Sequence, residues 1–282
     1  MGNSKLFVVE TYQPNQTDAS IILKSEITQE ELTTLNSAFE ICSLYLSITQ
    51  IKDIVVENGH VFKKYMSAEN LRELPARNVS PSRAILLANK AVLNYASSIK
   101  TYIDMETRLL KNKASQKALD EFTKICHTFY DKHLEYRFWA NFRNYIVHCE
   151  FPYSIYKEHI DEGCKIICTK EHLLLFDNWK HSKADIEKMG DEIDLPSLVD
   201  NMSSLIYALY LDFFRHFAST IVNGINTYGE FCRRYDVKLP AILKMKDDTQ
   251  IKGSHLQPLP IEYLKASFEI LKNHPHIQIN IE

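Results

Sequence analysis

Apolar side chains recur every three or four positions along most of the chain, a period that predicts amphipathic α-helices. Start and stop signals divide this pattern into four long helices. The first has a T-Q-E-E capping box, the second has a proline in its first turn, and the third runs through an aromatic-rich segment at 136–147. The predicted helices begin at Thr28, Pro81, Ser115 and Pro196, and the first and third end near Asn58-Gly59 and before Pro152.

A few segments have an extended rather than a helical pattern. Leu6 to Tyr12 predicts a strand, 164–177 predicts a hairpin turning at Lys170-Glu171, and 276–281 predicts a final extended stretch. We therefore expect a mainly α protein, a helical bundle with a small β-hairpin and short terminal strands. The predicted organisation is a single domain over 1–282, with a helical core at about 28–236, a hairpin insertion at about 164–177 and a C-terminal extension at 237–282.

Composition narrows the fold classes and the function classes. Only seven of 282 residues are glycine, which argues against barrels, propellers and dinucleotide-binding folds, because their tight turns need glycine. The formal net charge of −3 excludes a generally basic nucleic-acid coat, although it leaves room for a local basic cleft. Short basic clusters such as Lys180 to Lys183 would line an RNA path only if the fold gathered them.

No apolar span reaches the ~20 residues that a membrane helix needs, so we expect no membrane association. The six cysteines lack the C-x-x-C spacing of zinc sites, and they are interpreted as reduced thiols of a cytoplasmic protein. No metal site and no cofactor site is predicted, since the common phosphate-loop, hydrolase and zinc-protease motifs are also missing from the sequence.

The third predicted helix carries a narrow polar stripe on an otherwise aromatic surface. Arg137, Asn141, Asn144 and His148 follow one another at i, i+4, i+7 and i+11, so the last three lie within about 40° of Arg137 around a helix. Such a stripe is either an ordinary exposed face or a functional site, and the spacing alone leaves both interpretations open. Arg143 lies about 100° away from Asn144, but its long side chain could reach the stripe.

The residue types of the stripe suit phosphodiester chemistry without a metal. Histidine titrates near neutral pH and can transfer a proton, and a guanidinium group can bind a phosphate through two hydrogen bonds. Arg137 and Asn141 are therefore candidate RNA contacts on the same face as His148.

The segment Arg143-Asn144-Tyr145-Ile146-Val147-His148 resembles the R-N-x-x-x-H signature of the HEPN superfamily. The resemblance implies a helical domain that forms a homodimer and brings two motifs into one cleft. It also implies a metal-independent endoribonuclease, in which the ribose 2′-OH attacks the adjacent phosphate. Carried over by position, His148 would be the acid/base group, Arg143 the phosphate binder and Asn144 the residue that orients them.

Many members of the superfamily act in toxin–antitoxin or anti-phage systems, so the resemblance also implies a neutralising partner protein. Glu150 stands where toxins modified by a nucleotidyltransferase carry a tyrosine, which disfavours that kind of partner. The alternative is a non-catalytic HEPN-like module for interaction or ligand binding. For the dimer seam, the sequence offers the aromatic residues Phe138, Trp139 and Phe142 and the wide apolar face between Leu205 and Ile225.

Overall fold

The structure, a computed structural model, describes residues 5–15, 18–159, 163–245 and 255–278. It is mainly α, which confirms the predicted fold class. In chain order the α-helices are α1 (Gln29–Ala38), α2 (Glu40–Tyr65), α3 (Ala68–Glu73), α4 (Pro81–Lys113), α5 (Gln116–Lys132), α6 (Leu134–His148), α7 (Lys170–Leu173), α8 (Ser182–Glu187), α9 (Val199–Arg215), α10 (Ala218–Tyr235) and α11 (Ile261–Lys272).

Within the described residues, the strands form two antiparallel sheets. A four-stranded sheet has the order β2-β1-β5-β6, and a separate hairpin pairs β3 with β4. The strands are β1 (Lys5–Asn15), β2 (Asp18–Ile27), β3 (Ile155–His159), β4 (Gly163–Ile167), β5 (Pro240–Met245) and β6 (His255–Pro258).

The chain divides into two compact units, one made of Met1–Leu46 with Phe214–Glu282 and the other of Ser47–Phe213. In the first unit, α10 packs against α1 and α11, and the four-stranded sheet completes the unit. Gly224 on α10 allows close contact with α1, because a Cβ there would lie 2.7 Å from the Ala38 carbonyl oxygen. Within the described ranges, no helix combines the length and the apolar character that crossing a membrane requires.

The N-terminal strand is confirmed, but the sheet around it is larger than predicted. β1 pairs with β2 on one side and with β5 on the other, with Leu6 opposite Ile27 and Val8 opposite Ile242. The predicted C-terminal strand at 276–281 is not found in its described part, since residues up to 278 form no strand. Its last residues lie outside the described ranges.

The first predicted helix begins as expected and continues further. The Thr28 hydroxyl accepts from the Glu31 backbone N–H at 3.1 Å, and the Glu31 carboxylate accepts from the Thr28 N–H at 2.9 Å. The helix is interrupted at Phe39, but the predicted stop at Asn58-Gly59 is wrong. Gly59 lies inside α2, where a Cβ would come within 2.9 Å of Val199 Cγ1 and 3.1 Å of Tyr95. This glycine permits close helix packing, so it does not end the helix.

The hairpin lies upstream of its predicted place at 164–177. β4 pairs with the preceding β3, with Tyr156 opposite Ile166, and 170–173 forms the helical turn α7. The Thr169 hydroxyl explains this turn, because it caps α7 by accepting from the His172 N–H at 3.2 Å. A short apolar run such as H-L-L-L-F fits a strand and a buried helical turn equally well.

A polar cluster lies in the interior of the second unit. Glu106 on α4 is completely buried, and neither of its carboxylate oxygens has a hydrogen-bond partner within the described residues; the nearby Tyr102 hydroxyl is likewise unpaired there. Burial raises the pKa of Glu106 well above its ordinary value, the neighbouring Tyr102 opposes this shift, and Asp212 adds to it. The thiol of Cys126 and the hydroxyl of Tyr136 complete the surroundings, and burial raises the pKa of each.

The raised pKa of Glu106 makes stability depend on pH. The folded chain holds this proton more tightly than the unfolded chain, in which a glutamate has a pKa of about 4.3. The free energy of unfolding should therefore fall as pH rises above that value, by about 1.4 kcal/mol per pH unit until the folded pKa is reached. Urea denaturation at pH 5 and pH 8 measures this loss.

Glu106→Gln should remove most of this pH dependence, because the amide has no proton to lose in this range. The stability of the variant relative to the wild type should therefore increase from pH 5 to pH 8. Equal losses of stability in the two proteins between pH 5 and pH 8 would show that Glu106 is not the titrating group.

Candidate active site

Aromatic packing fixes how α6 is rotated about its axis. The Trp139 ring meets Tyr95 edge-on with centroids 4.8 Å apart, and Trp179 stacks against Phe138 and Tyr145 at 5.5 Å and 5.4 Å. Both indole N–H groups donate to backbone carbonyls. The aromatic face of α6 is therefore inside the unit, and the opposite face of the helix is available for polar residues.

These contacts overturn the predicted dimer seam. Phe138, Trp139 and Phe142 are at most 1% exposed. The predicted apolar face from Leu205 to Ile225 is divided between α9 and α10 instead of lying on one helix. Leu209, Phe213 and Ile221 are completely buried, so this face also packs inside its own chain. A face that is already covered within the chain cannot supply the contact surface of a dimer.

The structure divides the predicted polar stripe on α6 into two halves. In the closed half, Arg137 and Asn141 bond to other parts of the chain, and in the open half, Asn144 and His148 are exposed. In the closed half, the Arg137 Nε donates to Asp185 Oδ2 at 2.9 Å, and its Nη1 donates to the carbonyls of Tyr130 and Asp131, each at 2.8 Å. The Asp185 hydrogen bond and charge raise the pKa of Arg137. Arg137 thus joins the end of α5, the start of α6 and the helix α8.

Asn141 belongs to the same closed half. It is buried, and its Nδ2 donates to Ser182 Oγ at 3.1 Å and to the Arg137 carbonyl at 3.0 Å. The Ser182 hydroxyl in turn donates to that same carbonyl at 3.0 Å. The amide of Asn141 therefore anchors α8 on α6, and its side chain is committed to contacts within the chain.

The open half carries the motif. Asn144 and His148 are exposed and Arg143 is half-buried, all on the last two turns of α6. Among the residues that the structure describes, no hydrogen bond or ion pair engages the side chains of these three residues. The helix ends at His148, and the Cys149 N–H closes its last turn by donating to the Tyr145 carbonyl at 2.8 Å.

The segment after the motif is held in place at two points. The Asn89 amide forms two hydrogen bonds with the backbone of Tyr153, accepting from its N–H at 3.1 Å and donating to its carbonyl at 2.8 Å. His172 Nε2 lies 2.9 Å from the Phe151 carbonyl and 3.6 Å from a Glu150 carboxylate oxygen. These contacts hold the backbone that follows α6 in a fixed position next to the motif.

Several residues of this region were not predicted from the sequence. Asn89, His172, Ser182 and Asp185 lie on other elements, far from the motif in sequence, and isolated polar residues give no pattern that predicts such pairings. His172 brings a second imidazole to the end of α6, with its ring 6.5 Å from that of Tyr145, but its Nε2 is engaged by the Phe151 carbonyl.

The cysteines near the motif do not point to a nucleophile. Cys149 is exposed, and partial burial together with the carboxylates of Glu150 and Asp177 raises its pKa, which favours the neutral thiol. All six cysteines are free thiols. Over the described ranges, no three or more His, Cys, Asp or Glu side chains come together in a way that could hold a metal ion.

Comparison with protein-family models, curated proteins and solved structures finds no match for this chain. The functional interpretation therefore rests on the motif, on its place at the end of α6 and on the chemistry of its side chains.

The two halves of the stripe should respond differently to truncation. Arg137→Ala should lower the free energy of unfolding by about 2–3 kcal/mol, because it removes an ion pair and two backbone hydrogen bonds and leaves Asp185 unpaired. His148→Ala should change it by less than about 0.5 kcal/mol, as expected for an exposed side chain without partners. Urea denaturation of both variants tests this difference, and similar losses in both would contradict it.

Proposed function

We propose that this chain is a metal-independent HEPN-type endoribonuclease. Arg143 binds the scissile phosphate, Asn144 orients the reacting groups and His148 transfers a proton. The ribose 2′-OH attacks the adjacent phosphorus, the bond to the 5′ oxygen breaks, and the products carry a 2′,3′-cyclic phosphate and a 5′-OH.

This proposal rests on where the three motif side chains lie and on which contacts they make. They lie together on the last two turns of one helix, and in the described part of the chain no internal hydrogen bond or ion pair uses them, whereas Arg137 and Asn141 on the same stripe are both committed. Polar groups that are exposed and unengaged beside a rigid aromatic core can bind a ligand without first breaking internal contacts. This supports a site more than a structural role.

Cleavage requires a base for the 2′-OH and an acid for the leaving 5′ oxygen, and we propose that a second copy of the chain supplies the second group. The surface around the motif is suitable for such a contact. Val147 and Phe151 flank His148 and are 52% and 47% exposed, and Leu175, at 61%, follows the turn in which His172 bonds to Phe151. A two-fold axis beside these three residues would bring both motifs to one cleft.

The proposed setting is a cytoplasmic toxin–antitoxin or anti-phage system, in which a partner protein neutralises the nuclease until it is needed. The exposed apolar residues beside the motif support this setting as well, because a neutralising protein that bound them in place of the second copy would cover His148 and prevent the shared site from forming.

The chemistry is tested with single-stranded RNA in an excess of EDTA. We expect cleavage to continue, with cyclic phosphate ends on the products. His148→Ala and Arg143→Ala should each lower the cleavage rate by about 10²- to 10⁴-fold, because each removes a group that acts in the transition state.

His60→Ala and Arg83→Ala are matched controls on exposed positions of α2 and α4, and both should cleave at the wild-type rate. Loss of cleavage in the chelator would contradict the mechanism. Absence of cleavage by the folded wild type would favour the alternative, a non-catalytic HEPN-like interaction or ligand-binding module.

The dimer is tested by sedimentation at micromolar concentration. The wild type should sediment with twice the chain mass, and Phe151→Asp or Leu175→Asp should give an inactive monomer, because each buries a charge in the proposed contact. Leu86→Asp is the control, since Leu86 is 54% exposed on α4, and it should remain dimeric and active. A wild type that cleaves RNA as a monomer would contradict the shared site.

A further inference from the structure

A small polar cavity opens where α5 ends and α6 begins. Its volume is about 260 Å³, smaller than that of sites for drug-sized ligands, and it suits a single ring system such as a nucleobase. The side chains that line it are Tyr130, Asp131, Arg137, His181 and Asp185.

The contacts described above preform this cavity. Arg137 holds part of the lining by donating to the carbonyls of Tyr130 and Asp131, and its ion pair with Asp185 holds another part. The side chains of that pair are only 15% and 18% exposed, so their positions are set by packing within the chain. A ligand would enter a site whose shape already exists.

A nucleobase offers a flat ring for stacking and a polar edge for hydrogen bonding, and the lining groups suit both. The rings of Tyr130 and His181 pack edge to face, at 77° with centroids 6.2 Å apart, and both line the cavity, so a base could stack on the ring face that either one leaves open. The exposed carboxylate of Asp131 is an acceptor, and the Arg137 Nη2 faces no acceptor of its own within the described residues.

Guanine is the base that fits this combination best. Its N1–H and N2–H₂ groups are adjacent donors for one carboxylate, and its O6 and N7 atoms are acceptors that arginine commonly binds. Adenine carries neither the adjacent pair of donors nor the O6 acceptor.

The cavity also lies in line with the motif. Arg137 precedes His148 by eleven positions on α6, which places it about 16 Å along the axis and within about 20° in rotation. The exposed Lys180 and Lys183 flank His181 and Ser182, and they add positive charge beside this path. Lys180 has the backbone angles φ 55° and ψ −130°, a conformation that is costly for a residue with a Cβ.

We infer that the cavity is a recognition subsite for a guanine of single-stranded RNA, a few nucleotides from the bond that is cut beside His148. The inference rests on the proposed nuclease function, which it extends from an activity to a base preference. RNA would run from Arg143 at the open end of α6 across the segment that covers its first part, past the exposed Lys180 and Lys183, and place one base in the cavity.

The test uses short adenine- and uracil-containing RNAs with a single guanine, and matched RNAs in which adenine, inosine or 7-deazaguanine replaces that base. The wild type should cut at a constant distance from guanine and prefer it over adenine about five- to a hundredfold. Inosine, which lacks the N2 amino group, and 7-deazaguanine, which lacks N7, should each lose part of the preference.

Asp131→Asn and His181→Ala should reduce the ratio of guanine to adenine cleavage, which is measured within one variant and is independent of its overall activity. Both positions are exposed, so neither change should affect folding. Asp120→Asn on α5 and His60→Ala on α2 are the matched controls, and they should keep the wild-type ratio.

The outcomes separate the two proposals. Cleavage without a guanine preference, or a preference that Asp131→Asn and His181→Ala leave unchanged, would overturn the subsite while the nuclease function stands. If the wild type does not cleave RNA, the nuclease proposal fails, and fluorescence anisotropy of the same labelled RNAs then decides the subsite. Tighter binding of the guanine RNA that Asp131→Asn abolishes would support the subsite, and equal binding of all the RNAs would overturn it.

Discussion

The rotation of α6 about its own axis is the constraint on which the candidate site depends. Trp139 and Trp179 lie completely buried against the aromatic face of this helix, and their N–H groups are bonded to backbone carbonyls. With about 100° between successive residues, a rotation by one position would bury Asn144 and His148 and expose large rings. The cost of exposing such rings, about 1.5–3 kcal/mol for each side chain, opposes any such rotation.

The same helix shows how one pattern can serve two purposes. Four polar residues at helical spacing lie on one face, yet Arg137 and Asn141 hold neighbouring elements together while Asn144 and His148 remain exposed. The difference comes from the segment between Trp179 and Asp185, which ends in α8 and runs back along α6. Trp179 packs on Tyr145 near the end of α6, and Asp185 bonds to Arg137 near its start. This segment covers the first part of the stripe and leaves the end of the helix open.

Local signals predicted the helices well and their interruptions poorly. The Thr28 capping box and the proline after Ser80 act within one turn, so the sequence reveals them directly. The break at His133, with φ −117° and ψ 118°, interrupts an apolar period that continues on both sides, and no residue type marks it. Gly59 was misinterpreted because its role depends on Val199, a neighbour that only the tertiary structure provides. For the same reason, the sequence located the motif but not Asp185, Ser182 or Asn89.

The antiparallel pairing of β1 with β5 has a consequence for the order in which the chain becomes able to fold. The Thr11 hydroxyl donates to the Leu239 carbonyl across 228 residues, so the first strand has its central partner only when the last part of the chain has been synthesised. The unit formed by Ser47–Phe213 is continuous in sequence and is complete before that point. On the ribosome, the helix that carries His148 can therefore pack while β1 has only β2 beside it and still lacks β5, and contacts of such long range form late.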